Sequence, residues 1–363
     1  MSSKTRNLSL ENINTSYSNY SVMANIDIYG YMREIGGTAR IDDTDFMKIL
    51  RHYGRDMSDY TSHLPLRRNS EPKARNTLAA LIFQALSDEK LDKILPILKF
   101  IELSTCATYV QDDIIDDQPN REGDESTWKR FGVNKAIIAG GLQTFLGFEA
   151  LKCLEISNDT KVKIYEIANT MWQKLWVGEG FNEEMREGTT LNEYLNRCNN
   201  ICGVMFDSVA HMSAIVANAN NERVKLARDI GRNYGIAVMI RNDLSDWISD
   251  ISEHSRALSK KPFEDLRKEI WTYPVIYAME KGDDASKKFL SNAMQKNLNQ
   301  KDLEKITHIM HECGAFNATL DLITKYKVKA QSSIKSFPES LAKERLYLFT
   351  ELLENLRGYR GKF

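Results

Sequence analysis

The sequence predicts an all-α protein, on three observations. Apolar residues recur at intervals of three and four along nearly the whole chain after Asn76, which lays a stripe along one side of a helix. Proline is scarce, at 7 of 363 residues, against a usual share of about 5 per cent. No stretch alternates apolar and polar residues in a way that demands a strand.

Taken in order, residues 1 to about 25 are polar and rich in Ser and Asn, which predicts a mobile start. Residues 26–60 are mixed and predict one or two short helices. An N-terminal extension is therefore drawn over 1–60 and one large domain over 61–363. Leu78, Leu81, Ile82, Ala85 and Leu86 share one helical stripe, and Leu91, Ile94, Leu98 and Ile101 a second. Pro96 marks either a break there or a fresh helix start. Turn signals follow at Asp117-Gln118-Pro119-Asn120, Glu122-Gly123, Gly178-Glu179-Gly180, Asn218 to Asn221 and Gly282-Asp283-Asp284. No repeat of solenoid length is present, so the expectation is one domain of ten or more helices.

Composition excludes several function classes. Apolar residues make up 42 per cent and the net charge is -1, enough for one large core or two modest ones. A chain this neutral lacks the basic excess of a general nucleic-acid binder. No apolar run reaches the roughly 20 residues a membrane-spanning helix needs, and the polar N-terminus lacks the apolar core of a signal peptide. Five scattered cysteines, Cys106, Cys153, Cys198, Cys202 and Cys313, read as reduced packing residues of a cytoplasmic protein.

The chemistry concentrates in two acidic segments. Asp112-Asp113-Ile114-Ile115-Asp116-Asp117 closes an apolar helix that stops before Pro119. Asp112 and Asp116 are four apart and share a face, with Asp113 partly on it. A helix C-terminus is the wrong end for anions, because the helix dipole is negative there. A bound cation reverses that logic; the bland alternative is a solvated acidic helix end. A second apolar helix, Tyr234 to Ile240, runs into Arg241, Asn242, Asp246 and Asp250, the last three again on one face. Oxygen donors without His or Cys suit a hard cation such as Mg²⁺, which shares its shell with a substrate phosphate. The picture is an apolar cavity whose mouth clamps a diphosphate through metal ions.

At this point the chain resembles the all-trans isoprenyl diphosphate synthases and the class I terpene synthases that share their fold. The resemblance rests on Asp112-Asp113-x-x-Asp116, on Phe131 to Gly140, on Gly203-Val204-Met205-Phe206, on Gly231-x-x-Tyr234-Gly235 and on Lys261-Pro262-Phe263-Glu264-Asp265-Leu266 with Thr272-Tyr273-Pro274. It implies antiparallel helices around a deep central pocket, the isoprenoid synthase fold. It also implies three Mg²⁺ ions, a prenyl diphosphate substrate and a homodimer. Asp112, Asp113, Asp116, Asn242, Asp246 and Asp250 become the metal ligands by that resemblance. Arg121, Arg197, Arg241, Lys260 or Lys261 and Phe206 become substrate-binding residues, although Arg197 reads equally as a surface arginine.

The departures from the family bear on function. A chain-elongating synthase binds a second, homoallylic diphosphate through a cluster of cations. Where the family has Gly-Lys-Arg, this chain has Lys73-Ala74-Arg75; where it has Arg-Arg-Gly, this chain has Arg121-Glu122-Gly123. Ile201-Cys202 replaces a Lys-Thr pair and Glu269-Ile270 a Gly-Lys pair. Loss of cations weakens a phosphate site, and an Arg-to-Glu change reverses its sign. Asn242 also stands where elongating synthases have Asp, as in the terpene synthase triad. The expectation is a Mg²⁺-dependent lyase, most like the bacterial large-terpene synthases, that ionises a prenyl diphosphate of about twenty-five carbons or more. An elongating prenyltransferase, or a non-catalytic subunit of one, is the alternative. Short-chain synthases carry bulky aromatics where this chain has Ala107 and Thr108, so the tail slot is expected to be deep, unless those small residues serve close helix packing instead. Trp172, Trp176 and Phe181 either face that slot and steady a cation or belong to the core.

Overall fold

The computed structural model describes residues 27–38, 55–68, 73–121, 123–247, 263–293 and 298–354. The expected mobile start, Asp250, Lys260 and Lys261 lie outside them. Among the described residues the chain forms sixteen α-helices and one two-stranded hairpin.

Two helices, α1 (Ile28–Thr38) and α2 (Arg55–Arg67), precede the bundle. α1 buries Ile28, Tyr31, Met32 and Ile35 in the same core as α3 (Ala74–Leu86). A 3₁₀ turn leads into α4 (Leu95–Ile115), whose first turn contains Pro96, where a missing N–H costs nothing. Pro96 is thus a fresh start. α4 ends at Asp116, and Asp117 stops it in the left-handed region at φ 51°. Within this all-α fold, β1 (Asn120–Arg121) and β2 (Asp124–Glu125) form a small two-residue hairpin across Gly123. The hairpin turns Arg121 back toward α4.

After the short α5 (Thr127–Phe131), α6 (Val133–Leu151) packs along α4. A Cβ on Gly140 would stand 3.5 Å from the Ala107 carbonyl, so a small residue keeps the two backbones close. α7 (Asn158–Glu184) starts from a Ser157 cap and runs unbroken through Gly178-Glu179-Gly180. The turn expected there does not form. A Cβ on Gly178 would meet Ile201 at 2.7 Å, so this glycine serves a close contact and not a bend.

α8 (Leu191–Cys198), capped by Thr190 and Glu193, passes through a π turn at Asn199–Gly203 into α9 (Val204–Val216). α9 and α10 (Asn221–Ser245) approach so closely that a Cβ on Gly231 would lie 2.3 Å from the Phe206 carbonyl oxygen. Then follow α11 (Glu264–Arg267), α12 (Tyr273–Lys281), α13 (Asp284–Ala293) and α14 (Gln300–Glu312). α15 (Ala315–Lys335) covers α10, and α16 (Leu341–Glu351) closes against α3. No described helix is long and apolar enough to cross a membrane.

Candidate active site

α4 delivers Asp112 and Asp116 one turn apart at its C-terminal end. Asp112 lines a cleft between α4 and α7. Thr108, Gln111 and Ile115 stand on its α4 side, and Trp172, Leu175, Trp176 and Glu179 on its α7 side. Burial, followed by the neighbouring Glu179 carboxylate, pushes the Asp112 carboxyl well above its usual range. Arg121 opposes that rise, and Asp116 and Asp113 add to it. Glu179 was hidden in the supposed turn; its place eight residues after Met171 on an unbroken helix was the signal available.

The neighbouring acids face other partners. Asp113 is buried and accepts a hydrogen bond from Arg121 Nε at 2.8 Å, with a second, shorter one from its Nη2. Asp116 accepts from Lys268 Nζ at 2.8 Å, and Lys268 also lies 3.0 Å from Glu264. Gln118 Nε2 donates to the same Glu264 carboxylate. The backbone N–H groups of Glu264 and Asp265 in turn donate to Asp246 at 3.0 and 3.1 Å. The two acidic segments are therefore brought together, through Lys268 and Glu264.

On α10, Asn242 is exposed and its neighbour Asp243 is buried. Asp243 accepts from Tyr194 Oη at 2.8 Å and from Arg197 Nη1 at 3.0 Å. Arg197 is accordingly buried on a carboxylate, away from the surface; burial acts most strongly against its charge, but Asp243 and the smaller contributions of Cys198, Tyr194 and Asp265 together outweigh it and keep it charged. Asp243 was missed because ligand spacing pointed to Asn242; the acidic half of that pair is the one turned inward. Arg241 lies half-buried toward the opposite side, with Nη1 3.4 Å from the Leu352 carbonyl. Phe206 is core, in edge contact with Tyr234. Thr108 lines the cleft, whereas Ala107 is wholly buried against α6.

Beside the acids stands a basic niche. The guanidinium groups of Arg121, Arg68 and Arg75 lie 4.8, 5.0 and 6.0 Å from the centre of the Tyr109 ring, and Arg75 also lies 5.5 Å above Phe206. Lys73, fully buried, reaches within 3.4 Å of Glu102, which also accepts from Arg68 Nε at 3.1 Å. Lys73 Nζ and Arg75 Nε make no hydrogen bond among the described residues. Four cations thus gather beside Tyr109, Glu102 and Asp113, a setting of charge-assisted donors suited to an anionic ligand.

Among the described residues no three acidic, His or Cys side chains converge tightly enough to close a metal site alone. The donor set still fits Mg²⁺. Asp112 and Asp116 offer only oxygen, their crowding calls for a cation, and Mg²⁺ accepts an incomplete protein shell because it keeps waters and phosphate oxygens.

The family model for polyprenyl synthetase matches residues 69–310. A prenyl transferase of Cyanophora paradoxa is 26% identical over 294 residues, covering 79% of this chain and 86% of that protein. A geranylgeranyl diphosphate synthase of Saccharolobus solfataricus is 27% identical over 245 residues, 66% of this chain and 72% of that protein. The crystal structure of a geranylgeranyl pyrophosphate synthetase from Pyrococcus horikoshii superposes with a TM-score of 0.80 at 23% identity, over 90% of this chain and 98% of that one. The fold is the isoprenoid synthase fold, as expected.

The expected terpene-forming lyase is overturned. These relatives are named as prenyl transferases and prenyl diphosphate synthases. The physical error lay in counting cations by position. Arg68 joins Arg75 and Arg121 around Tyr109, and Lys73 shares Glu102 with Arg68, so cations gather here despite the departures in sequence.

Proposed function

This chain belongs to the polyprenyl synthetase family, and from that premise we propose that it elongates an allylic prenyl diphosphate with isopentenyl diphosphate. The basic niche beside the Asp112 cleft carries the reading. The allylic diphosphate sits on the Asp112 and Asp116 side, and Arg68, Lys73, Arg75 and Arg121 take the diphosphate of isopentenyl diphosphate. Bound Mg²⁺ supplies neutralisation of the departing diphosphate. Asp112 and Asp116 would hold it, and Asn242, Asp246 and Asp250 of the second segment would be further oxygen donors for the three ions that the resemblance implies.

Tyr109 and its arginines hold the isopentenyl double bond against the allylic carbon, and the apolar walls of the cleft exclude water from the developing cation. The allylic carbon–oxygen bond breaks as the terminal alkene carbon bonds to the allylic carbon. The adjacent methylene then loses a proton to the released diphosphate. The products are an all-trans diphosphate one isoprene unit longer and inorganic diphosphate.

The catalytic body spans 61–363, with α1 docked on it from the preceding extension. A homodimer is supported by the exposed apolar row Val133, Ile137 and Phe145 on α6, together with Val162 and Val177 on α7. No disulfide forms among the described cysteines, which fits a cytoplasmic setting. The test is incubation with Mg²⁺, farnesyl diphosphate and labelled isopentenyl diphosphate. A longer labelled diphosphate, formed only when both substrates are present, is expected. Hydrocarbon released from farnesyl diphosphate alone would overturn the reading, as would activation of a second synthase without turnover by this one.

A further inference from the structure

We propose that the Tyr109 ring is a platform that fixes Arg68, Arg75 and Arg121 in the basic niche, and so sets the affinity for the diphosphate bound there. The inference rests on the elongation reading above and names the residue that positions its isopentenyl diphosphate site.

Separate elements deliver these guanidinium groups to one ring. Arg68 comes from the segment after α2, Arg75 from the first turn of α3 and Arg121 from β1. They lie 5.0, 6.0 and 4.8 Å from the ring centre, all within reach of cation–π attraction. Like charges gathered this closely repel one another. The negative face of an aromatic ring offsets that repulsion without using the N–H donors, which a carboxylate would take.

The arginines differ in what else holds them. Arg68 Nε donates to Glu102 at 3.1 Å, and Arg121 Nε to Asp113 at 2.8 Å. Arg75 instead lies over two rings, Tyr109 and Phe206, and its Nε makes no hydrogen bond among the described residues. Its position therefore depends most on aromatic faces.

The platform itself is seated. Tyr109 is half-buried on α4, three residues before Asp112 and on the same side of the helix. It packs against the cluster of Leu64, Cys106, Val110 and Ala136. Those neighbours are apolar and call for no ring, so a branched aliphatic side chain would satisfy the packing but not the arginines.

The test is calorimetry on the full chain in EDTA, first with inorganic diphosphate and then with isopentenyl diphosphate. Tyr109→Leu should weaken both by about tenfold, and Tyr109→Phe by about twofold or less, because the ring face carries the effect and not the hydroxyl. The Tyr109→Phe chain is then made with successive fluorines on that ring, which drain its negative face and barely change its shape. Affinity should fall with each fluorine. An affinity that Leu leaves unchanged, or that falls in Leu and stays level along the fluorine series, overturns the platform. So does a wild-type chain that binds neither ligand in EDTA. Should the Leu chain fail to fold, the fluorine series decides alone. A wild-type chain that elongates nothing, while its affinity for inorganic diphosphate still tracks the fluorines, overturns the elongation reading and leaves the platform standing.

Discussion

The two acidic segments look alike in sequence and do opposite work in the molecule. At the end of α4, Asp112 lies in a cleft with its charge disfavoured by burial and by Glu179, and a cluster of arginines around Tyr109 stands beside it. At the end of α10, Asp243 is consumed by Tyr194 and Arg197, and Asp246 by two backbone N–H groups. In the first segment Asp112 is held under electrostatic tension that the proposed metal–diphosphate ligand would relieve. In the second, Asp243 and Asp246 are engaged from within, while Asn242 stays exposed as a donor. Aspartates at helical spacing thus do not declare their role; the partners that the fold supplies do.

That contrast can be broken by four experiments. Asp112→Ala should lower elongation by about 10³-fold, the scale of losing a group that stabilises developing charge, with the unfolding curve unmoved or shifted up. An Asp112→Ala chain keeping a tenth of its activity would place the chemistry elsewhere. Asp243→Ala should act on the fold instead. It leaves the Arg197 guanidinium buried and unpaired, at a cost of about 3–5 kcal/mol in urea unfolding. Equal stability losses from the two substitutions would erase the distinction drawn between the segments.

The niche gives a smaller, more selective effect. Arg68→Gln or Arg75→Gln should raise KM for isopentenyl diphosphate by about tenfold to a hundredfold, the worth of one charged hydrogen bond. KM for the allylic substrate should stay put. A rise in both constants would mean that one diphosphate pocket serves both substrates.

The smallest effect is on pH. Burial and Glu179 hold Asp112 protonated above the ordinary carboxylate range, and Mg²⁺ needs the carboxylate. Mg²⁺ affinity should therefore rise with pH through that raised value, and Glu179→Gln should move the rise to lower pH. In the metal-free protein the sign for folding is the reverse. The native state holds this proton more tightly than the unfolded chain, so stability falls as pH climbs above the unfolded carboxylate value, and Glu179→Gln flattens the fall. Calorimetric titration of Mg²⁺ and urea melts across pH check the two signs; an unmoved midpoint would show that Glu179 does not act on Asp112.

The helices were legible because α4 and α10 repeat apolar residues at three and four, and because Pro96 and Pro119 bracket α4. α7 was mispunctuated for a physical reason. Gly178 permits contact with the π turn at Ile201, and local sequence cannot distinguish a glycine chosen for closeness from one chosen for a bend. Within the site, spacing put Asn242 and Asp246 on one face, yet nothing local states which face turns inward. That is decided by Tyr194 and Arg197 on another helix. The niche was hidden in the same way. Arg68 lies 41 positions before Tyr109, and only packing of the segment after α2 beside α4 brings their side chains within 5.0 Å.

The most direct test of two diphosphates held by two different kinds of charge is calorimetry in the absence of metal. With EDTA present, isopentenyl diphosphate should bind the wild-type chain at one site per protomer and weaken steeply with salt, since arginine and lysine hold it, while farnesyl diphosphate should bind only after Mg²⁺ is added. Binding of farnesyl diphosphate in EDTA, or no binding of isopentenyl diphosphate until Mg²⁺ is supplied, would contradict the account.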